Sequence, residues 1–300
     1  MSQPSILSQN YSPPIGLNAS GSKLVFSDKS FEAWRKYIYE ICGIYFQDTK
    51  KYLLESRLQK RITFLNLESY DQYLDYVRYN ANGAAEKKYL FEVITINETF
   101  FFRNQPQLDC LVSSVLPEII ATKIKQGKNK IRIWSAASSS GEEAYSVAMS
   151  IVDLIKPKYP NFEFEIVGTD INQTMVDTAK KGIYKDYSIR NSPVYYLKKY
   201  FRQTPNGYEV DQELKKMVSF RIMNLFDDIS MKAMINFDVI YCANVLIYFD
   251  LNSKSKVVAN LYNSLSKGGY LFIGYSETLP GVSKSFKLIS YPKTIGYKKE

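Results

Sequence analysis

The run Ile131-Arg132-Ile133-Trp134 reads as a buried strand. It passes through Ser135-Ala136-Ala137-Ser138-Ser139-Ser140-Gly141-Glu142-Glu143 into a helix carrying Ala144, Val147 and Ala148. A strand that feeds a helix through a short turn of small residues commits this part of the chain to alternating, parallel architecture. From residue 104 the rest follows suit. Apolar periodicity predicts helices over 105–125, 142–154, 172–181 and 252–265, interleaved with strands over 131–134, 162–168, 218–222, 237–242 and 270–274. Residues 286–297, with a turn signal at Pro292, predict a two-stranded hairpin closing the sheet edge. Between 192 and 220 a polar, aromatic-rich insertion holding Pro205-Asn206-Gly207 predicts a small antiparallel excursion. The expected fold class is α/β, with a doubly wound parallel sheet over residues 96–300.

The amino-terminal third has a different texture. Residues 1–23 are polar and rich in Ser, Asn, Pro and Gly, as in a disordered tail. Ser27 then caps a helix carrying Phe31, Trp34, Ile38 and Ile41 that ends near Gly43. A second helix over 51–65 has Leu54, Leu58, Ile62 and Leu65 on one stripe, with Arg57 and Arg61 on a neighbouring face. A third begins at Ser69, with Tyr73, Leu74 and Val77, and a fourth covers 84–94. Short helices joined by short loops make a small all-α domain over residues 24–95.

Composition removes several chemistries. The chain has no histidine, so a Ser-His or Cys-His catalytic pair cannot be built within it. Its three cysteines, Cys42, Cys110 and Cys242, lie far apart in apolar surroundings. A zinc site is not expected, and buried reduced thiols fit a cytoplasmic protein. No apolar run reaches membrane-span length and no signal-peptide core is present. The formal charge of +9 favours acidic partners, but no five consecutive residues share a charge, which argues against nucleic acid.

In open α/β sheets ligands bind outside the carboxyl ends of the strands. Three strand ends here are polar. The first carries Glu142 and Glu143, and only Gly141 as glycine. That suits a cationic or ribose-bearing cofactor better than a diphosphate, and it lacks the Gly-x-Gly-x-x-Gly turn of a dehydrogenase. The second ends in Thr169-Asp170, whose carboxylate can accept ribose hydroxyls. The third, strand 237–242, runs into Asn244-Val245; a further edge, Asn224-Leu225 after strand 218–222, offers an amide to an adenine. Plainer roles compete. Asp170 can cap a helix, Glu142 and Glu143 can complement a helix dipole, Asn244 can form a turn, and Tyr248 can be a core aromatic. Upstream, Asn97-Glu98-Thr99-Phe100-Phe101-Phe102-Arg103 is odd for a linker. Its phenylalanines anchor it against the sheet, which fixes Arg103.

These residues carry a resemblance. The segment from Asn97 to Arg103, the run Trp134 to Glu143, Thr169-Asp170-Ile171, the stretch Phe237 to Phe249 and Gly274-Tyr275-Ser276-Glu277 are similar to the chemotaxis receptor glutamate methyltransferase family of CheR type. Tyr52 to Leu58 belongs to the same pattern, and the match runs in order over residues 27–298. The resemblance implies a class I S-adenosylmethionine-dependent methyltransferase fold behind a helical domain that helps grip a receptor. It implies that Asn97, Thr99 and Arg103 contact cofactor or substrate, and that Glu142, Glu143 and Asp170 hold the methionine and ribose parts. Asn224, Leu225, Asn244 and Val245 would line the adenine and sulfonium side, and Arg103 and Tyr248 would flank the reacting carboxylate.

Two departures stand out. The family usually has histidine where this chain has Tyr275, and the hairpin at 205–207 looks shorter than in members that dock a receptor tether. Tether docking is therefore not expected. A bacterial cytoplasmic enzyme acting on the methylation helices of transmembrane chemoreceptors follows from the resemblance, without nucleic acid, metal or membrane insertion. Such helices are expected to be acidic, which makes Arg57, Lys60 and Arg61 a docking face. A dehydrogenase, a non-catalytic scaffold and a nucleic-acid methyltransferase are the competing readings. The last would favour an Asn/Asp-Pro-Pro-aromatic run where Asn244-Val245-Leu246-Ile247 stands.

Overall fold

Ser27 accepts a hydrogen bond from the Ser30 amide at 3.0 Å and so starts helix α1, Asp28–Cys42, in a computed structural model that describes residues 24–300. The tail expected over residues 1–23 lies outside the described residues. The chain divides into two compact units, one reaching to Tyr37 and including Phe46–Ile94, the other made of Ile38–Tyr45 with Thr95–Glu300.

The first unit is helical throughout. After a 3-10 turn, α2 (Lys51–Phe64) buries Leu54, Leu58 and Ile62, the stripe its spacing predicts. α3 (Tyr70–Tyr79) starts at Ser69, whose hydroxyl accepts from the Gln72 amide at 3.1 Å, and α4 spans Gly83–Ile94. Trp34 is fully buried beside Tyr73 and donates its indole N–H to the Tyr70 carbonyl at 2.9 Å.

At the centre lies an ion pair that corrects the sequence reading. Arg61 donates to both carboxylate oxygens of Glu86, at 2.6 and 2.7 Å, and Tyr73 donates to the same carboxylate at 2.8 Å. Glu86 is only 4% exposed. A carboxylate so deeply buried is tolerable only with such partners. Arg61 therefore faces inward, and Arg57 donates to the Ile94 carbonyl at 2.7 Å. Of the three residues expected as a docking face, Lys60 alone is exposed.

In the second unit the residues expected as one helix over 105–125 form α5 (Gln105–Cys110), a widened π turn over Leu111–Val115, and α6 (Leu116–Lys125). Pro117 is the physical reason. Its ring would strike the carbonyl four residues back, and the Leu116 amide bonds instead to the Leu111 carbonyl.

The strands that follow are β1 (Lys130–Ala136), β2 (Glu163–Asp170), β6 (Val218–Ile222), β7 (Phe237–Cys242), β8 (Leu265–Ile273), β9 (Phe286–Tyr291) and β10 (Thr294–Lys299). They form one sheet in the order β6-β2-β1-β7-β8-β10-β9. The first five are parallel, and the terminal hairpin adds two antiparallel strands, as expected. Helices α7 (Glu142–Leu154), α8 (Gln173–Lys181), α12 (Asp228–Lys232) and α13 (Leu251–Ser264) connect them. Cores lie on both faces, one around Ile133, Tyr145 and Phe272, the other around Trp134, Ile240 and Leu271. β8 starts five residues earlier than its sequence suggests, because Ser266-Lys267-Gly268-Gly269 is absorbed through a register shift opposite Phe237–Val239.

The insertion holds β3 (Ile183–Tyr184), α9 (Asp186–Ile189), α10 (Val194–Tyr200), β4 (Phe201–Thr204), β5 (Gly207–Val210) and α11 (Gln212–Met217). Its strands form a separate antiparallel sheet, β3-β5-β4, so the excursion is real but begins earlier than its sequence signal. All three cysteines are buried free thiols, as expected. No helix among the described residues is long and apolar enough to cross a membrane.

Candidate active site

Strand order reverses between β1 and β7, since the chain runs outward from β1 to β2 and later returns to place β7 on the other side. The crevice of an open sheet opens at such a switch point. Here the β1 turn is tied to β2. The Ser138 amide donates to the Thr169 carbonyl at 2.8 Å, and the Ser139 amide donates to Asp170 at 2.7 Å. Ala137 and Ser139 are thereby held at φ of 57° and 50°, in the left-handed region that non-glycine residues seldom occupy. α7 starts from Gly141 with no side-chain cap, which leaves its first amides facing the turn.

The paired glutamates split. Glu142 turns away, is 1% exposed, and accepts from Ser140 at 2.7 Å and Ser188 at 2.9 Å. Glu143 lines the crevice and accepts from Ser135 at 2.7 Å. Desolvation pushes the Glu143 carboxyl up to about 7, against the opposing pull of Ser135 and Arg103. A carboxylate in that condition gains from a cationic neighbour.

A second wall comes from residues 98–103. Phe101 and Phe102 are buried, and Phe102 is pinned at φ 58° by its amide bond to Ser146 Oγ at 3.0 Å. The next residue, Arg103, is turned out and donates to the Glu98 carbonyl at 2.6 Å. The third wall follows β7. Asn244 sits at φ 61°, its amide donating to Glu277 at 2.9 Å. Glu277 also accepts from the amides of Gly274 at 2.6 Å and Ile247 at 3.2 Å, so one carboxylate ties the ends of β7 and β8 together.

The walls enclose about 630 Å³, counting the open mouth. Thr99, Arg103, Glu143, Asn244 and Val245, all expected from the sequence, line it. Ser138 and Tyr241 line it too, each with a buried hydroxyl that makes no hydrogen bond.

The other expected residues stand off this cavity. Asn97 lies behind the wall, its carbonyl accepting from Ser139 Oγ at 3.2 Å. Asp170 gives one oxygen to the Ser139 amide and the other to the Asn172 amide at 2.9 Å, and burial pushes its carboxyl up. It does not cap α8; Asn172 does, accepting from the Met175 amide at 3.2 Å. The Asn224 amide donates to the Ile41 carbonyl at 2.7 Å, and Leu225 is core, so neither residue presents itself to this cavity. Tyr248 is absent from the cavity wall, and its carbonyl accepts from the Tyr45 amide at 3.0 Å. Glu277 has a structural duty that sequence reading left unassigned, although its motif was visible. Sequence reading took Ser135 only as the end of the first strand and Tyr241 only as part of strand 237–242, and gave neither a role.

The donor set suits an adenosyl sulfonium with an amino acid tail. Glu143 faces the cavity as a desolvated acid, two orphaned hydroxyls await partners, and small residues at 137–139 admit a ligand to the backbone. Among the described residues no group of three or more metal-binding side chains is found.

Comparison with known proteins agrees in both units. Residues 29–95 match the CheR methyltransferase all-alpha domain, and residues 97–295 match the CheR methyltransferase SAM binding domain. Chemotaxis protein methyltransferase 2 of Vibrio cholerae is 35% identical over 279 residues, covering 93% of this chain and 95% of that one. The chemotaxis protein methyltransferase of Borreliella burgdorferi is 36% identical over 248 residues, covering 82% and 87%. Chemotaxis protein methyltransferase 1 of Pseudomonas aeruginosa is 32% identical over 276 residues, covering 91% and 98%.

Proposed function

The chain belongs to the CheR methyltransferase family and is an S-adenosylmethionine-dependent methyltransferase; from that premise we propose that it esterifies glutamate side chains of chemoreceptors. The observation that carries the reading is the match to both family domains, in order, combined with a cavity whose chemistry needs no general base.

A glutamate carboxylate, which ordinarily titrates at about 4.3, is already ionised at neutral pH. The missing histidine is therefore no obstacle. When bound, the cofactor supplies a methyl group on a sulfonium, and its transfer to oxygen leaves S-adenosylhomocysteine with no proton to move. This chain's residues have to bind, align and dry the reactants, and alignment alone can supply roughly 7–11 kcal/mol at best. Glu143 receives the cofactor's ammonium, which relieves its own desolvation. Arg103, exposed and tethered through the Glu98 carbonyl, orients the incoming carboxylate. A tight Arg103 pair would quench the nucleophile, and its hold on the Glu98 carbonyl keeps that pairing loose. Thr99, Asn244 and Val245 shape the wall around the transferring group. Asp170 receives the ribose through lone pairs left over from its two backbone bonds, while Asn97, Asn224 and Leu225 support the site from behind.

The acceptor is placed on a cytoplasmic receptor helix, and Lys60 remains the exposed cation on α2 that meets its acidic face. Incubation with radiolabelled cofactor and receptor-bearing membranes tests the reading. Label released as methanol by mild base supports a carboxyl methyl ester, and base-stable label refutes it.

A further inference from the structure

We propose that Arg190 is a second carboxylate-receiving cation at the cavity mouth, engaging an acidic residue three or four positions from the acceptor glutamate on the substrate helix. The inference rests on the receptor-methylation reading above and deepens it.

Arg190 follows α9 and is held flat. Its guanidinium lies 3.8 Å from the Phe100 ring centre and 3.6 Å from that of Tyr187, and it donates to the Tyr187 carbonyl. A guanidinium between two aromatic faces keeps its charge and its edge donors while losing little freedom on pairing. The side chain is 30% exposed, so the edge is accessible.

Its exposed anion is Glu98, at 3.9 Å, which is the outer limit of an ion pair, while its charge also acts on the buried Glu142 carboxyl. That carboxylate is 57% exposed and also accepts from the Tyr187 hydroxyl at 3.3 Å. Glu98 thus holds the place of an external acid loosely, at the rim of the cavity it helps to line. An exposed pair this long is worth little, so an incoming carboxylate can replace it at low cost.

Spacing decides which acid Arg190 can meet. Arg103 lies 5.7 Å from the centre of the same Phe100 ring, so both cations border one aromatic side chain of the cavity wall. Side chains three or four apart on a helix stand about 5–6 Å apart at Cβ, and the arms of two acids cover the remainder. One acid then meets Arg103 as acceptor while its neighbour on the same helix face meets Arg190. Consecutive acids point to different faces and cannot do both.

The test uses full-length enzyme and two receptor fragments that differ only in carrying Glu or Gln four positions from the acceptor. Wild type is expected to favour the Glu fragment through KM, by about two- to fivefold at low salt, with kcat little changed. Arg190→Gln should bring the ratio to one, and Arg190→Lys should restore part of it. Glu98→Gln, which removes the resident competitor, should lower KM for the Glu fragment. An unchanged ratio in Arg190→Gln overturns the proposal, as does a wild type that ignores the second acid. Equal slowing of both fragments with the preference intact assigns Arg190 a structural role only, and also overturns it. Absence of base-labile label from every fragment with wild-type enzyme overturns the glutamate reading itself, and this inference with it.

Discussion

Glu143→Gln keeps the side chain's shape and its bond from Ser135 while abolishing its titration, so it isolates what the ionised form costs and provides. Burial moves this carboxyl from an ordinary 4.5 to about 7. At about 1.4 kcal/mol per unit, ionisation in the unliganded protein costs at most about 3 kcal/mol. The cavity is open at its mouth, so water reduces that to roughly 1–3 kcal/mol. The sign follows from proton counting. Between pH 4.5 and about 7 the folded state binds more protons at Glu143 than the unfolded state does. Stability from this group is therefore full below 4.5 and is lost as the pH rises to about 7, with no further change above. Urea unfolding of the unliganded protein at about pH 5 and pH 8 should show the variant gaining about 1–3 kcal/mol on wild type at the higher pH, and much less at the lower. Calorimetry at about pH 8 should show cofactor affinity falling about tenfold to a hundredfold in the variant, the worth of a charged hydrogen bond. If wild type and variant share one pH slope, or the variant binds cofactor undiminished, the assignment of Glu143 is wrong.

Three further outcomes follow from contacts described above. Glu86→Gln leaves Arg61 charged and buried beside a neutral partner and should cost the helical unit about 3–5 kcal/mol in urea unfolding, whereas Arg61→Met with Glu86→Leu should recover most of it. Glu277→Ala strands the amides of Asn244, Ile247 and Gly274, and calorimetry should show weaker cofactor binding while the pH slope due to Glu143 persists. In Gly207→Ala a new Cβ would stand 2.2 Å from the Tyr184 carbonyl oxygen, at a φ of 128°. Hydrogen exchange should then quicken in β3, β4 and β5 and leave the seven-stranded sheet unchanged.

Strand and helix order was legible because apolar period and turn chemistry agree along residues 130–300. What the sequence misjudged were residues whose type suits two duties. Asn224 has the amide an adenine would want, but the chain spends it on the Ile41 carbonyl, a partner 183 residues away. Arg61 lies on a face that looks solvated until Glu86 folds against it from α4. Asp170 looked like a ligand or a helix cap; it leaves the cap to Asn172 and uses the same carboxylate to stitch the β1 turn to β2. Glu143 and Arg103, which line the cavity, each adjoin a signal that is local, a turn of small residues in one case and a run of phenylalanines in the other. Tyr241 lies inside a strand, where alternation marks it as core and nothing local marks a hydroxyl left without a partner.

The carboxylate of Glu277 fastens a loop that was made some thirty residues before it. A nascent chain emerging from the ribosome could therefore lay down all five parallel strands and still lack a firm third wall to its crevice. A polypeptide halted at Ile273 would lack the acceptor for the amides of Asn244 and Ile247, and its hold on the methyl donor would be the weaker for it.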